Sequence, residues 1–271
     1  MVSDFLRRWH ITITFHVNAY FINVSNGNGW EKNQYIAGPF IGDVMAVSDL
    51  IVVDNIPIEL NLGEFLGSQK LGRIQEEEVK GMLEEGRQLV EPKAVYSLMR
   101  VISVGDDEVG LEGGYKLESM VLADRLRPDQ TVALLVVTIG PRLEEQASTY
   151  AKASVLKSFI LERVGDFALR KARSSIEAKI AQQLGKISRF EPGGGTGRLF
   201  SLEQQKVLFQ ILDPADNIGV RLLPSLLMVP RKSSSGVYAP IEGHFSDCQY
   251  CPAKCDYRKA PFTGEYRRAR Q

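Results

Sequence analysis

The chain has 271 residues, 44% of them hydrophobic and 24% charged, and its Lys plus Arg and Asp plus Glu totals balance at 33 each. This is the composition of an ordinary soluble protein with one large domain or two small ones. With no net charge there is no global field to attract nucleic acid or an anionic membrane, and no run approaches the roughly 20 apolar residues of a spanning helix.

Residues 1–45 read as an appendage, with alternating apolar residues and an Asn/Gly-rich break at Ser25–Asn28. They lack the compact apolar core and small-residue cleavage site of a signal peptide. From residue 46 the pattern changes, and 46–271 reads as one domain. It comprises a strand and helix portion at 46–91, a core at 92–242 and a Cys-rich stretch at 243–271.

"DLIVVDNIPIEL" is strand-like and closes near Pro57. "QEEEVKGMLEEGRQLV" at 75–90 places Val79, Met82, Leu83, Gly86 and Val90 at helical spacing with acids early, which predicts an amphipathic helix ended by Pro92. "AVYSLMRVISV", the turn "GDDE" and "VGLEGGYKLES" predict an antiparallel meander. "TVALLVVTIG" at 131–140 is an uninterrupted apolar run, which suits a strand buried on both faces. Pro141 then opens one long helical region that runs to Gly185. Ser201 with Gln204 three residues on is a capping-box pattern and predicts a helix over 201–213. "NIGVRLLPSLLMVPRKSSSGVY" reads as two short strands interrupted at Pro224 and Pro230. Strands grouped before and after a long helix favour an α+β fold.

Four features carry candidate chemistry. On the long helix, Val155, Phe159, Glu162 and Asp166 share a face. Val155 and Phe159 are expected to point inward, which puts Glu162 at the core edge. There its carboxylate needs a cation or full hydrogen bonding, so either Arg163 or Arg170 satisfies it or it faces solvent. Second, the Gly-rich loop "SRFEPGGGTGR" at 188–198 lacks both the P-loop and the dinucleotide fingerprint. It reads as a surface loop whose bracketing Arg189 and Arg198 are suited to clamping a carboxylate. Third, "VPRKSSSGVY" at 229–238 reads as a polar turn between apolar strands, able to hold an anion or a polar ligand edge.

The fourth feature holds every cysteine. Cys248, Cys251 and Cys255 have C-x2-C-x3-C spacing, with His244 four residues upstream. Clustered thiols without a signal segment point to a reducing compartment, where they bind metal or do redox work, so the expected location is the cytoplasm. Three thiolates with His244 form a closed zinc site; three alone suit a [4Fe–4S] cluster with one open iron. The basic tail from Tyr257 to Gln271 reads as a solvated terminus.

Taken together, "DNIPIEL", "PKAVYSLMRV", "VVTIGPRLEEQAS", "FILERVGDFA", "RFEPGG", "LEQQKVLFQIL" and "IGVRLLPSLLMVPRKSSSG" occur in an order that resembles the activation domain of vitamin B12-dependent methionine synthase. The stand-alone relatives in anaerobic prokaryotes are the nearer likeness, because they also carry the cysteine stretch. The resemblance covers roughly Ile51 to Phe262. It implies an α+β fold with a twisted antiparallel sheet flanked by helices, and a site for S-adenosylmethionine (AdoMet) in the 92–242 core. In that family an electron and a methyl group from AdoMet restore an oxidised cobalamin, so the implied function is reactivation of a corrinoid methyltransferase such as methionine synthase.

Carried onto this chain, the resemblance implies that Arg189 takes the ligand carboxylate and Glu162 faces its positive charge. Backbone groups around Glu191 and Gly193 would contact the ligand, with Ser233, Ser235 and Gly236 in a Ser-x-Ser-Gly turn and Tyr238 following. The family's Pro-Gly-Tyr is Pro192-Gly193-Gly194 here, so one ligand contact is missing. The Asp-x-His-x-x-Gly pattern that ligates cobalt is absent, which puts the corrinoid on a partner protein. An iron–sulfur cluster at the cysteines would supply the electron. The rival expectations are a non-catalytic, zinc-clipped docking module and an independent iron–sulfur electron-transfer protein.

Overall fold

The computed structural model describes the backbone of 10–16, 19–25 and 30–37, and residues 50–69, 71, 72, 74–193, 199–241, 247–254, 258 and 260–264. The chain divides into two units, Met1–Ser48 and Asp49–Gln271. The first holds an antiparallel meander of β1 (His10–His16), β2 (Ala19–Ser25) and β3 (Trp30–Ala37). The Asn/Gly break between β2 and β3 lies outside the described residues.

The second unit is α+β, a strongly curled antiparallel sheet flanked by helices. In chain order it runs β4 (Ile51–Val53), α1 (Leu62–Ser68), α2 (Glu76–Leu89), β5 (Lys93–Val104), β6 (Glu108–Leu111), β7 (Lys116–Glu118), α3 (Met120–Arg125) and β8 (Thr131–Thr138). It continues with α4 (Arg142–Ala151), α5 (Val155–Leu184), β9 (Ser188–Phe190), α6 (Gln205–Leu212), α7 (Pro214–Ile218), β10 (Arg221–Leu222), β11 (Met228–Val229) and β12 (Ser233–Ala239). The sheet order is β7-β6-β5-β8-β12-β9, with β4 also on β5. β5 pairs with β4 through Ala94–Tyr96 and with β6 from Val101 onward, and a register shift between Val101 and Ser103 marks the change. An extra residue at such a shift bends the strand and increases its twist, which curls the sheet.

β8 sits at the centre, and every residue from Val132 to Thr138 is buried, as its uninterrupted apolar run predicts. Val132, Leu134 and Val136 face a layer that includes Leu122 of α3, Leu208 and Leu212 of α6 and Ile218 of α7. Ala133, Leu135 and Val137 face Val79 and Leu83 of α2, Leu143 of α4 and the apolar stripe of α5. The predicted meander is present as β5, β6 and β7.

Two sequence expectations change. The helical region after Pro141 is two helices, because the Ser154 side chain accepts the Lys157 N–H and restarts the helix as α5. A serine near a helix end competes with the backbone in this way. The Ser201–Gln204 pair does not close a capping box. Ser201 accepts the Glu203 N–H, whereas the buried Gln204 side-chain oxygen accepts the Glu118 N–H at 3.0 Å across the fold.

Gly86 is where α2 crosses α5. A Cβ there would lie 2.5 Å from Cγ1 of Val164, a β-branched side chain with little rotamer freedom. Gly86→Ala is therefore expected to lower unfolding free energy in urea by about 1–3 kcal/mol. Gly81→Ala on the open side of the same helix, where a Cβ meets nothing within 4 Å, is expected to leave stability unchanged or slightly raised.

Candidate functional site

The sheet face covered by α5 carries two clusters of charge, and α5 contributes Glu162 and Asp166 to one and Glu177 to the other. Its buried stripe is Ile160, Leu161, Val164, Phe167, Ala168, Ala172, Ile176 and Ile180. Val155 and Phe159 do not point inward as expected: they are 76% and 38% exposed. The stripe beginning at Ile160 continues for five turns and buries far more apolar area than the Val155–Phe159 face, so it turns toward the sheet. Glu162 flanks this stripe, half-buried.

Neither Arg163 nor Arg170 satisfies Glu162. Its cations come from the segment joining β11 to β12. Arg231 Nη2 donates to Glu162 Oε1 at 2.9 Å and Lys232 Nζ lies 2.8 Å from Oε2. Lys232 also donates to Asp166 Oδ1 at 2.6 Å, and the Arg231 N–H donates to Glu144 of α4 at 2.8 Å. Burial alone would raise the Glu162 pKa; the hydrogen bonds and charges of Lys232 and Arg231 outweigh it and hold the carboxyl below its ordinary value. The "PRK" of "VPRKSSSG" is thus a latch onto α4 and α5.

The second cluster lies about four turns further along α5. Arg189 of β9 donates to Glu177 at 3.0 Å, and its Nε lies 3.5 Å from Glu191. Arg173, whose side chain is only 14% exposed, donates to the same Glu191 oxygen at 3.1 Å and reaches Ser234 Oγ at 3.5 Å. Ser234 in turn donates to Glu191 at 3.3 Å. The Arg173 Nε is buried without a hydrogen bond, 3.5 Å from Glu177. Burial works against the Arg189 charge, but the carboxylates of Glu191 and Glu177 help to offset it and keep the guanidinium charged. Tyr238 is fully buried beside this quartet. Burial pushes its phenol well above the usual range, Glu177 adds to that, and Arg173 and Arg189 oppose it. It stays a neutral hydroxyl at any physiological pH.

β-Strand alternation decides which serine joins. Ser233 to Tyr238 are not in a turn but in β12, paired with β8 and β9 because Gly236 lets the Phe190 carbonyl come within 3.1 Å of where a Cβ would stand. In this register Ser234, Gly236 and Tyr238 lie opposite Val137, Leu135 and Ala133 and share the α5 face. Ser233 and Ser235 lie on the other face. Ser233 donates to the Pro230 carbonyl at 2.7 Å, and its Oγ lies 2.9 Å from Thr138 Oγ1. Gly193, at a φ of 74°, gives its N–H to the Phe200 carbonyl at 2.8 Å.

Of the residues expected from sequence, Arg189, Glu191, Gly236 and Tyr238 come together. Glu162 does not join them, since the 15 residues of helix between it and Glu177 span roughly 22 Å. Glu177 and Arg173 take that place and were missed. Their available signal was an opposite-charge pair at i, i+4 on the helix just before β9.

Cys248 and Cys251 are half-buried. The Arg258 guanidinium donates to the carbonyls of Cys248, Cys251 and Ala253 and so ties the loop together. Cys255 and His244 lie outside the described residues. Among the described residues no group of three His, Cys, Asp or Glu is placed to hold a metal ion, and no helix is long and apolar enough to cross a membrane.

A curled antiparallel sheet with a 30-residue helix across one face defines an activation-domain type of α+β fold. Among solved structures the chain is similar to the MetH reactivation domain, whose crystal structure holds AdoHcy. The TM-score is 0.51 at 12% identity, over 76% of this chain and 85% of that one. At that identity the likeness is one of fold. No protein-family model and no curated protein matches the sequence.

The Glu162 latch makes stability depend on pH with a defined sign. Its folded pKa lies below the ordinary 4.5, so its contribution is complete above that value and is lost as pH falls through the folded one. In urea unfolding Glu162→Gln is expected to be less stable than the parent near about pH 7, with the gap closing below about pH 4.5.

Proposed function

We propose that this chain binds AdoMet through the Arg173–Glu177–Arg189–Glu191 quartet and supports reactivation of a corrinoid carried by a separate methyltransferase such as methionine synthase. The observation that carries this reading is the quartet itself. It holds two guanidiniums and two carboxylates, half-buried on one sheet face beside a protonated Tyr238. A ligand with an α-carboxylate and an α-ammonium finds a partner for each, and the fold is that of a domain whose solved structure holds AdoHcy. When bound, AdoMet supplies a methyl group.

The chain's own residues supply binding and orientation. Arg189 meets Glu191 only at 3.5 Å, whereas Arg173 meets it at 3.1 Å. A ligand carboxylate therefore competes with Glu191 for the Arg189 fork, and Arg173 keeps Glu191 neutralised when Arg189 lets it go. Glu177 stays on Arg189 at 3.0 Å and fixes the plane of its guanidinium. Glu191, with Ser234 and Arg173 behind it, is left facing a positive group.

The cysteine stretch belongs to the same proposal. Thiolates of Cys248, Cys251 and Cys255 suit an iron–sulfur cluster that delivers one electron, while His244 as a fourth ligand would make a zinc clip. A second reading, a docking module that no longer binds AdoMet, is favoured by one observation: Arg189 already meets two glutamates and the Gly193 N–H is already engaged.

Calorimetric titration with AdoHcy separates the readings. Binding is expected for the parent chain, with Arg189→Ala weakening it by at least about tenfold, the loss of a charge-assisted pair; a folded parent that takes up no AdoHcy sinks the proposal and leaves the docking module. Metal analysis of protein purified without oxygen is expected to find iron with sulfide, and stoichiometric zinc instead would remove the electron-delivery role.

A further inference from the structure

A separate cleft of about 490 Å³ opens between the C-terminal end of α1 and the N-terminal half of α5, lined by Ser68, Gln69, Phe159, Arg163, Asp166, Leu169 and Arg170. This is within the size range of small-ligand sites. It lies outside the quartet, and nothing in the proposed function uses it. We propose that it is a binding site for a small oxyanion, a phosphate or carboxylate, carried on a flat apolar body.

The donors are already aimed at one point. Arg170 Nη2 and Gln69 Nε2 both donate to the Ser68 hydroxyl oxygen, at 3.3 and 3.2 Å, while that hydroxyl spends its own proton on the Phe65 carbonyl at 3.1 Å. A cationic and a neutral donor thus converge on a single oxygen, the geometry an anion oxygen would exploit more strongly than a neutral hydroxyl. Among the described residues Arg170 is paired with no carboxylate; its guanidinium lies over the Phe167 ring at 5.8 Å.

Arg163 is held almost as loosely. Among the described residues its one acid, Asp166, is 3.4 Å away and is also bonded to Lys232 at 2.6 Å. The rest of its hold is a stack on the Phe159 ring at 5.2 Å. Two guanidiniums therefore face the cleft against one carboxylate, which is also bonded to Lys232 from the other side. Phe159, 38% exposed, and Leu169 form the apolar wall. Exposed phenylalanine with a planar cation over it suits a flat ligand body.

The site also touches the latch. An anion that draws Arg163 from Asp166 leaves that carboxylate to Lys232 alone, and Lys232 is shared with Glu162. Occupancy of the cleft is thereby coupled to the segment that leads into β12.

The test is calorimetric titration of the full chain with phenyl phosphate and with benzoate at matched ionic strength, alongside the Nε–Hε resonances of Arg163 and Arg170. At least one anion is expected to bind and to shift both resonances, and the tighter of the two identifies the group as phosphate or carboxylate. Arg163→Gln and Arg170→Gln are each expected to weaken binding by at least about tenfold, and Lys206→Gln on α6 to leave it unchanged. Heats no larger than those of chloride, unmoved arginine resonances, or affinities equal to the parent's in both arginine variants would overturn the proposal. AdoHcy binding is read separately, so failure here leaves the quartet's role untouched.

Discussion

Everything in the larger unit depends on a strand with no solvent face. Because Val132 to Thr138 of β8 are all buried, the sheet must be covered on both sides. One layer is built from α3, α6 and α7, the other from α1, α2, α4 and α5. Polar side chains reach α5 from β12, which flanks β8, and from β9 at the sheet edge beyond it. Both candidate clusters are made where these strands, or the segment leading into β12, meet the long helix.

Charge placement follows from this constraint. A carboxylate partly withdrawn from water is tolerated only when a cation and hydrogen bonds replace its hydration. α5 brings Glu162, Asp166 and Glu177 against the sheet side, and the returning chain answers with Arg231 and Lys232 at one end and Arg189 at the other. The latch saturates its acids tightly. The quartet is looser, with contacts of 3.5 Å and an unbonded Arg173 Nε, and a set of charges with slack in it can exchange an internal partner for a ligand.

Much of the architecture was legible in the residues. The apolar run of β8, the amphipathic α2 and the β5–β6–β7 meander are local patterns, and each is present as expected. The latch and the quartet were legible only in part. Arg189, Glu191 and Tyr238 stood out through motif order, as did Glu162, which lies in the other cluster; the helical face of Val155 and Phe159 was expected to turn inward and does not. Periodicity shows that a helix has an apolar stripe; it does not show which of two adjacent stripes wins when Val155 and Phe159 offer one and Ile160, Val164 and Phe167 offer another.

By itself the sequence determined the α+β class, the doubly buried central strand and the residue types available for a zwitterion or a metal. These depend on composition, spacing and near-neighbour propensity, which act over a few residues. Only the tertiary structure decided that Ser234 rather than Ser233 or Ser235 faces α5, that Arg231 and Lys232 neutralise Glu162, and that Glu177 meets Arg189. The reason is physical. A strand's side chains alternate with period two, so one residue of register sends a serine to the opposite layer. A partner 12 or 69 positions away along the chain is chosen by how the layers close, which no local pattern records.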